Sequence, residues 1–342
     1  MIGHPWRILT AVALLALAPL ARPAAAGVFP GANWATRSPA EAGLDVSKLE
    51  ELADYAEGDA VVIRDGYLVY SWGNASQSAD WASASKPMLS TLLFVADDRD
   101  MCGIHQEMGD FLAGGSADDR SITFFDLANM ISGYSRGEGP GEAWAYNDHA
   151  INLYGYVLFH EVFGGEPEDV FQTELGFLDF QDPITISGSQ YGRIKAMSVR
   201  DFARMGLLWL NRGTWNGTQA IPASYFDLVE NQVPVGLPRT SSDGDESWDF
   251  GTFGGSDDQN GSGPGNYGMN FWVNTNGLWP GAPANVYQAA GHGGQKVCWV
   301  VPDMNVVVAG YGGGNLGTST ALQLLLEAET ASPVEEASWS QI

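Results

Sequence analysis

Ser83-Ala84-Ser85-Lys86 sets a hydroxyl and an amine three residues apart, ahead of the apolar run PMLSTLLFVA, in a chain with only four lysines. Residues i and i+3 share one face of a helix, so Lys86 can steer or accept the proton of Ser83, which is what a serine needs to become a nucleophile. The plain alternative is a serine-rich turn that caps a core helix and leaves a solvated lysine. Short Ser-x-x-Lys matches arise by chance, so the tetrad alone does not decide. A serine that attacks a carbonyl also needs a proton relay and donors for the oxyanion that develops. Tyr146, in WAYNDHA, and the stretch Gly291-His292-Gly293-Gly294-Gln295, which leads into an apolar strand pattern, offer both.

Those three stretches sit in elements that the residue pattern predicts. AVVIRDGYLVYSW, residues 60–72, reads as two strands joined at Asp65-Gly66, a hairpin signal. Pro87 falls in the first turn of the next helix, where a missing N–H costs little, and the run after it is apolar all round, as buried helices are. From about 122 to 230 the pattern is helical, in ITFFDLANMI, DHAINLYGYVLFHEVF, SVRDFARMGLLWLN and PASYFDLVEN. Residues 236–266 are rich in Gly, Asp and Ser and read as a surface excursion near a site. YGMNFWVN, KVCWVVP and NVVVAGYGG then read as antiparallel strands, and TALQLLLEAE as a closing helix. A hairpin at one end and strands at the other predict an α+β fold, with an antiparallel sheet built from both chain ends and a mostly helical insertion. The sheet part covers about 40–82 and 265–330, and the helical part about 83–235.

Composition narrows the partners. Arg7, an apolar stretch and Pro23-Ala24-Ala25-Ala26 form a secretory signal-peptide pattern with cleavage near Ala26. The expectation is therefore a secreted or periplasmic protein over 27–342, without stable membrane insertion. A formal charge of -25 repels nucleic acid and anionic headgroups. Cys102 and Cys298 are the only cysteines, and either a disulfide or two buried thiols fits an exported chain. The five histidines have no metal-binding spacing, and the Asp-rich stretch has no EF-hand spacing, so no metal is expected. Trp248, within the Gly/Asp-rich stretch, and Trp272 and Trp279, after it, can line a pocket or serve the core.

Taken in order, Ser83-Ala84-Ser85-Lys86, Tyr146-Asn147-Asp148 and His292-Gly293-Gly294 resemble the S-x-x-K, Y-x-N and K-T-G or H/W-x-G motifs of the serine β-lactamase-like family. That family includes class C β-lactamases, DD-peptidases, family VIII esterases and 6-aminohexanoate dimer hydrolases. The flanking text is similar as well, and the resemblance runs over about residues 40–325. It implies a β-lactamase/transpeptidase-like fold and an acyl-enzyme on Ser83, with Lys86 and Tyr146 as the proton relay. Which of those two is the base stays open. The resemblance further implies an oxyanion hole from the backbone N–H groups of Ser83 and Gln295, and substrate contacts from Asp148, His292, Gly293 and Gly294. No cofactor is implied, and the expected partner is a small ester or amide.

Two departures from the family pattern bear on substrate. Asp148 stands where the family usually has Asn, so a donor becomes an acceptor, or else a counter-ion for Lys86 that leaves Tyr146 as the base. His292 replaces the lysine that holds a substrate carboxylate in penicillin-recognising members. Both favour an esterase or linear-amide hydrolase over a D-amino-acid or cell-wall peptidase, and either over a β-lactamase. They also sustain a second reading, a catalytically silent relative that binds an extracellular ligand. Gly133-Tyr134-Ser135-Arg136-Gly137 matches the nucleophile elbow G-x-S-x-G, but an elbow needs a strand before it and a helix after it, and a helical pattern precedes this one.

Overall fold

The computed structural model describes residues 28–251 and 262–330. The leader reading of residues 1–26 lies outside the described residues. The centre of the molecule is a seven-stranded antiparallel sheet. Its strands are β1 (Asp59–Arg64), β2 (Tyr67–Trp72), β3 (Tyr267–Gly268), β4 (Phe271–Val273), β5 (Tyr287–Gly291), β6 (Lys296–Val301) and β7 (Val306–Tyr311), in the order β2-β1-β7-β6-β5-β4-β3. The N-terminal hairpin thus joins the C-terminal strands through β1 and β7, paired from Asp59↔Tyr311 to Arg64↔Val306. Asp65 and Gly66 turn that hairpin with φ of 54° and 82°, the left-handed pair that a two-residue type I′ loop requires.

Val61, Val62 and Ile63 in β1, and all six residues of β6, are buried, so the central strands are covered on both faces. Helix α1 (Val46–Ala56) packs against the closing helix α5 (Ser319–Glu327), and α4 (Val199–Leu210) lies across β1, β6 and β7. Between the two halves of the sheet, the chain builds α2 (Pro87–Asp98) and α3 (Asp148–Tyr156). Every residue of α2 from Pro87 to Ala96 is buried, as its all-round apolar sequence requires. A small second sheet of Ser78–Ala79, Thr185–Ile186 and Ile194–Ser198 braces the chain just before Ser83.

Several elements differ from expectation. The helix in ITFFDLANMI covers only Phe124–Ala128, because a Thr123/Asp126 capping box starts it and Met130, at φ 58°, ends it. DHAINLYGYVLFHEVF is α-helical to Tyr156 and then widens into a π-helical turn, Val157–Val162. PASYFDLVEN is a 3-10 helix, Ala223–Leu228, in which Tyr225 and Phe226 pack on Phe94 with centroids 5.2 and 5.8 Å away. Strand β5 was not signalled, since YQAAG has neither alternation nor β-branched residues. Helix α1 was not signalled either; Asp45 caps it, accepting from Ser47 N at 2.8 Å.

Cys102 and Cys298 are both free and buried, which decides between the two readings of the pair. Burial pushes the Cys102 thiol up to about 12, and the Cys298 thiol upward as well. Among the described residues, no helix is long and apolar enough to cross a membrane.

Candidate active site

The turn that carries Ser83 is built from the residue before it. Trp81 is fully buried, stacks on Phe202 of α4 at 3.8 Å, and donates its indole N–H to Met197 O at 2.9 Å. Its backbone N–H bonds Ile194 O at 3.0 Å, and Ser85 Oγ accepts from Ile194 N at 2.9 Å, so both ends of the turn are tied to one strand. Between them Ala82 is held at φ 45°, a left-handed conformation that costs a non-glycine residue about 1 kcal/mol or more. Asp80 holds this strained point. Its Oδ1 accepts from Ala82 N at 2.9 Å, and Arg193 forks onto the same carboxylate, with Nε 3.0 Å from both oxygens. Burial works to raise the Asp80 carboxyl, but the Arg193 and Ala82 hydrogen bonds outweigh it and hold the group below the usual carboxylate range.

A single helical turn, Ala82–Ser85, then carries Ser83 directly into α2. Lys86 Nζ lies 2.7 Å from Ser83 Oγ and 2.7 Å from Asp148 Oδ1, with the lysine fully buried and Asp148 4 % exposed. Burial pulls the Lys86 ammonium down, but the charges of Tyr146 and Asp148 and hydrogen bonds to both raise it more, so it is held above the ordinary lysine range. Asp148 gets its place from its neighbour. Asn147 caps α3, accepting from His149 N and Ala150 N at 3.0 and 3.3 Å, which makes Asp148 the first helical residue, where a negative charge is favoured. On the other side of Asn147, the Tyr146 ring stacks on Trp272 at 5.9 Å and meets Tyr267 edge-on at 6.3 Å. Lys86 Nζ is 4.8 Å from the centre of that ring.

The third stretch reaches the serine because Gly291 has no side chain. A Cβ there would stand 2.6 Å from Ala84 N, 2.9 Å from Trp81 O and 3.0 Å from Ser83 N, so only glycine lets β5 come this close. Ser83 N–H, at the start of its turn, is a donor that the turn leaves without an intrahelical acceptor. Together these elements enclose a cavity of about 840 Å³, large enough for a drug-sized molecule. Ser83, Tyr146, Asp148, His292, Gly293 and Gly294 line it, so the three motifs meet.

Other residues fall elsewhere than expected. Gln295 does not line the cavity, and its N–H donates to His292 O at 3.4 Å, closing the turn rather than facing the site. The expectation that Gln295 supplies an oxyanion donor is therefore not met by this geometry. Of the three tryptophans, Trp272 and Trp279 line the cavity, whereas Trp248 stacks on Tyr134 at 6.4 Å and bonds Ala113 O. Ser135 sits on a loop at φ 59° with a helix, not a strand, before it and does not line the cavity, so the elbow geometry is missing. The described part of the Gly/Asp-rich stretch runs beside the loop that delivers Tyr146, through Trp144 N to Pro238 O and Thr240 N to Trp144 O, each 2.8 Å.

Sequence reasoning missed Asp80, Arg193, Gln288 and Thr318, which buttress or line the site. Arg193 and Gln288 come from strand and loop segments with no motif around them. Among the described residues, no group of three or more His, Cys, Asp or Glu side chains is placed to hold a metal.

Comparison of the sequence with protein-family models gives no match, and comparison with curated proteins gives none. Solved structures do match. A chain assigned as a 6-aminohexanoate-dimer hydrolase from Bacillus anthracis superposes with a TM-score of 0.64 at 15% identity, over 89% of this chain and 88% of that one. A β-lactamase from Mycobacterium bovis gives 0.58 at 15% identity, over 82% and 99%. EstCE1, a hydrolase with promiscuous acyltransferase activity, gives 0.60 at 11%, over 86% and 98%. The chain thus has the serine β-lactamase-like, or transpeptidase-like, α+β fold that its three motifs imply.

Proposed function

We propose that the protein is an exported serine hydrolase that acts through an acyl-enzyme on an ester or a linear amide. The observation that carries this reading is the contact of a buried ammonium, Lys86, with both Ser83 Oγ and Asp148 Oδ1 at 2.7 Å. Hydrolases among the structural neighbours support the same class.

The chemistry follows from who holds which proton. Lys86, held as an ammonium by Asp148, has no lone pair with which to accept a proton. It donates to Ser83 Oγ, which leaves the serine O–H free to point elsewhere, and the base in this reading is Tyr146. Ser83 Oγ attacks the carbonyl carbon as its proton passes to Tyr146, which takes part as the phenolate beside the Lys86 ammonium and becomes the phenol. The carbonyl oxygen becomes an oxyanion, received by Ser83 N–H and, in place of Gln295, by the N–H of His292, which follows the glycine that touches the nucleophile turn. Collapse expels the alcohol or amine with the proton returned from Tyr146. Water, deprotonated by the same relay, then hydrolyses the acyl-enzyme and frees Ser83.

The lining favours a neutral substrate over one with a free carboxylate. The cavity side of the third motif is imidazole and glycine, Trp272, Leu278 and Trp279 add apolar lining, and the guanidinium of Arg193, which also lines it, is engaged by the Asp80 carboxylate. The decisive experiment is exposure of the folded protein to a fluorophosphonate, followed by intact mass and peptide mapping. One adduct on Ser83, together with ester turnover lost in Ser83→Ala, is the expected result. No adduct and no turnover on a folded sample would replace the hydrolase by a silent ligand-binding relative.

A further inference from the structure

Lys296 is a buried cation that the chemistry above does not use. It is 8 % exposed and opens β6 directly across the ladder from Gly291. Cross-strand partners share a face of the sheet, so its side chain leaves on the face where Gly291 meets the Ser83 turn. Among the described residues, no carboxylate lies within ion-pair distance of it. Its hydrogen-bond partner is His292 Nδ1 at 3.3 Å. Asp80 and Arg193 act on it from the nucleophile side with opposite signs, and the Tyr311 ring lies 5.9 Å from Nζ. Burial, ahead of those two charges, holds its ammonium below the ordinary lysine range.

The contact has a direction. An ammonium carries three hydrogens and no lone pair, so Lys296 donates and His292 Nδ1 accepts. A neutral imidazole that accepts at one nitrogen carries its proton on the other. His292 is exposed and lines the cavity, so that proton decides what the ring offers a ligand. We propose that Lys296 fixes His292 as the Nε2–H tautomer and thereby makes the ring a directed hydrogen-bond donor to an acceptor oxygen of the bound ester or amide. The substrate half of this statement rests on the hydrolase reading; the tautomer half does not. Lys296 is a positioning residue in this arrangement, since it reaches the substrate only through His292. Without it, both tautomers are open to the ring, and one of them turns a lone pair toward the substrate oxygen.

The first test is the nitrogen spectrum of the full protein labelled with 15N-histidine, assigned through His292→Gln. The expected pattern is protonated Nε2 with bare Nδ1, replaced in Lys296→Met by a mixture of tautomers. Protonated Nδ1 in the wild type would overturn the proposal. The second test is a double-mutant cycle on ester hydrolysis. Lys296→Met is expected to lower kcat/KM about tenfold, the worth of one hydrogen bond. In the His292→Gln background, where the side-chain amide stands near the former Nε2 and has a fixed donor, Lys296→Met is expected to add nothing. Equal losses in both backgrounds would make Lys296 a purely structural residue and sink the idea. If no ester is turned over at all, the hydrolase reading fails while the nitrogen spectrum still decides the tautomer.

Discussion

Asp148 and Lys86 form a buried ion pair one hydrogen bond away from the hydroxyl of Ser83. Asp148 is the residue that departs from the usual Y-x-N pattern, and its carboxylate faces the lysine rather than standing as an amide beside the substrate. Together with Tyr146 it keeps a buried lysine charged against the pull of burial, and in the proposed mechanism that leaves the duty of general base to Tyr146.

Replacing Asp148 by Asn removes that counter-charge and leaves Tyr146 alone to offset the pull of burial on Lys86. Breaking a buried pair in this way costs about 3 kcal/mol or more of unfolding free energy. The sign with pH is fixed by the raised folded pKa of Lys86. Its contribution is complete below the unfolded lysine value, about 10.4, and is lost as pH rises through the folded value. Urea unfolding of wild type and Asp148→Asn at pH 7 checks the first point, and equal stabilities would refute it.

Gly291→Ala tests whether the third motif is an approach or merely a loop. The added Cβ would meet three backbone atoms, Ala84 N, Trp81 O and Ser83 N, none of which can swing aside as a side chain tip would. The strand must back away from the nucleophile turn. Acylation of Ser83 is expected to slow by about 10² or more, as loss of one oxyanion donor does, while the fold persists. Stopped-flow burst kinetics together with circular dichroism measure both. A variant that acylates at the wild-type rate would show that the close approach has no catalytic meaning.

Asp80 and Arg193 predict an acid-sensitive turn. The folded pKa of Asp80 lies below its usual value, so its stabilisation is present above about pH 3.9 and disappears as pH falls through the folded value. The pair is partly exposed, with side-chain exposures of 33 % for Asp80 and 25 % for Arg193, so its worth is about 1 kcal/mol or less. Asp80→Asn should unfold more easily than wild type at pH 7 and equally easily near pH 2. A gap that stays constant over that range would mean that Asp80 acts only through shape.

The three motifs were legible because each is local: the S-x-x-K tetrad fits one helical turn, Asn147 caps the helix that begins with Asp148, and the glycine stretch stands at a strand end. The hairpin at Asp65-Gly66 and the apolar helix after Pro87 were legible for the same reason. The rest depends on long-range placement. Arg193 reaches Asp80 across 113 positions of sequence, and Lys296 owes its burial to the ladder opposite Gly291. Strand β5 hides because YQAAG lacks the β-branched side chains that advertise a strand, and at Gly291 the close approach to the Ser83 turn excludes any side chain. Gln295 took its role from the family resemblance alone, and local sequence does not reveal that His292 and Gly293, at φ 51° and 66°, fold the stretch into a turn that points the Gln295 N–H at His292 O.

In the proposed mechanism Trp272 joins recognition to catalysis, because its ring both lines the cavity and stacks on Tyr146 at an interplanar angle of 15°. Trp279 and Leu278 also line the cavity, and the Trp279 ring packs on Trp299 rather than on Tyr146. Truncating Trp279 should therefore affect binding of a bulky acyl group, raising KM about tenfold for a phenylacetyl or hexanoyl ester while leaving the acetyl ester nearly unchanged. Truncating Trp272 should lower kcat for every ester, the acetyl ester included, because Tyr146 loses the surface that orients it. A series of p-nitrophenyl esters measured on both variants separates the two effects. If Trp272→Ala changes only the KM of the bulky esters, Tyr146 is held by Tyr267 and its own loop, and the stacked tryptophan is a specificity wall alone.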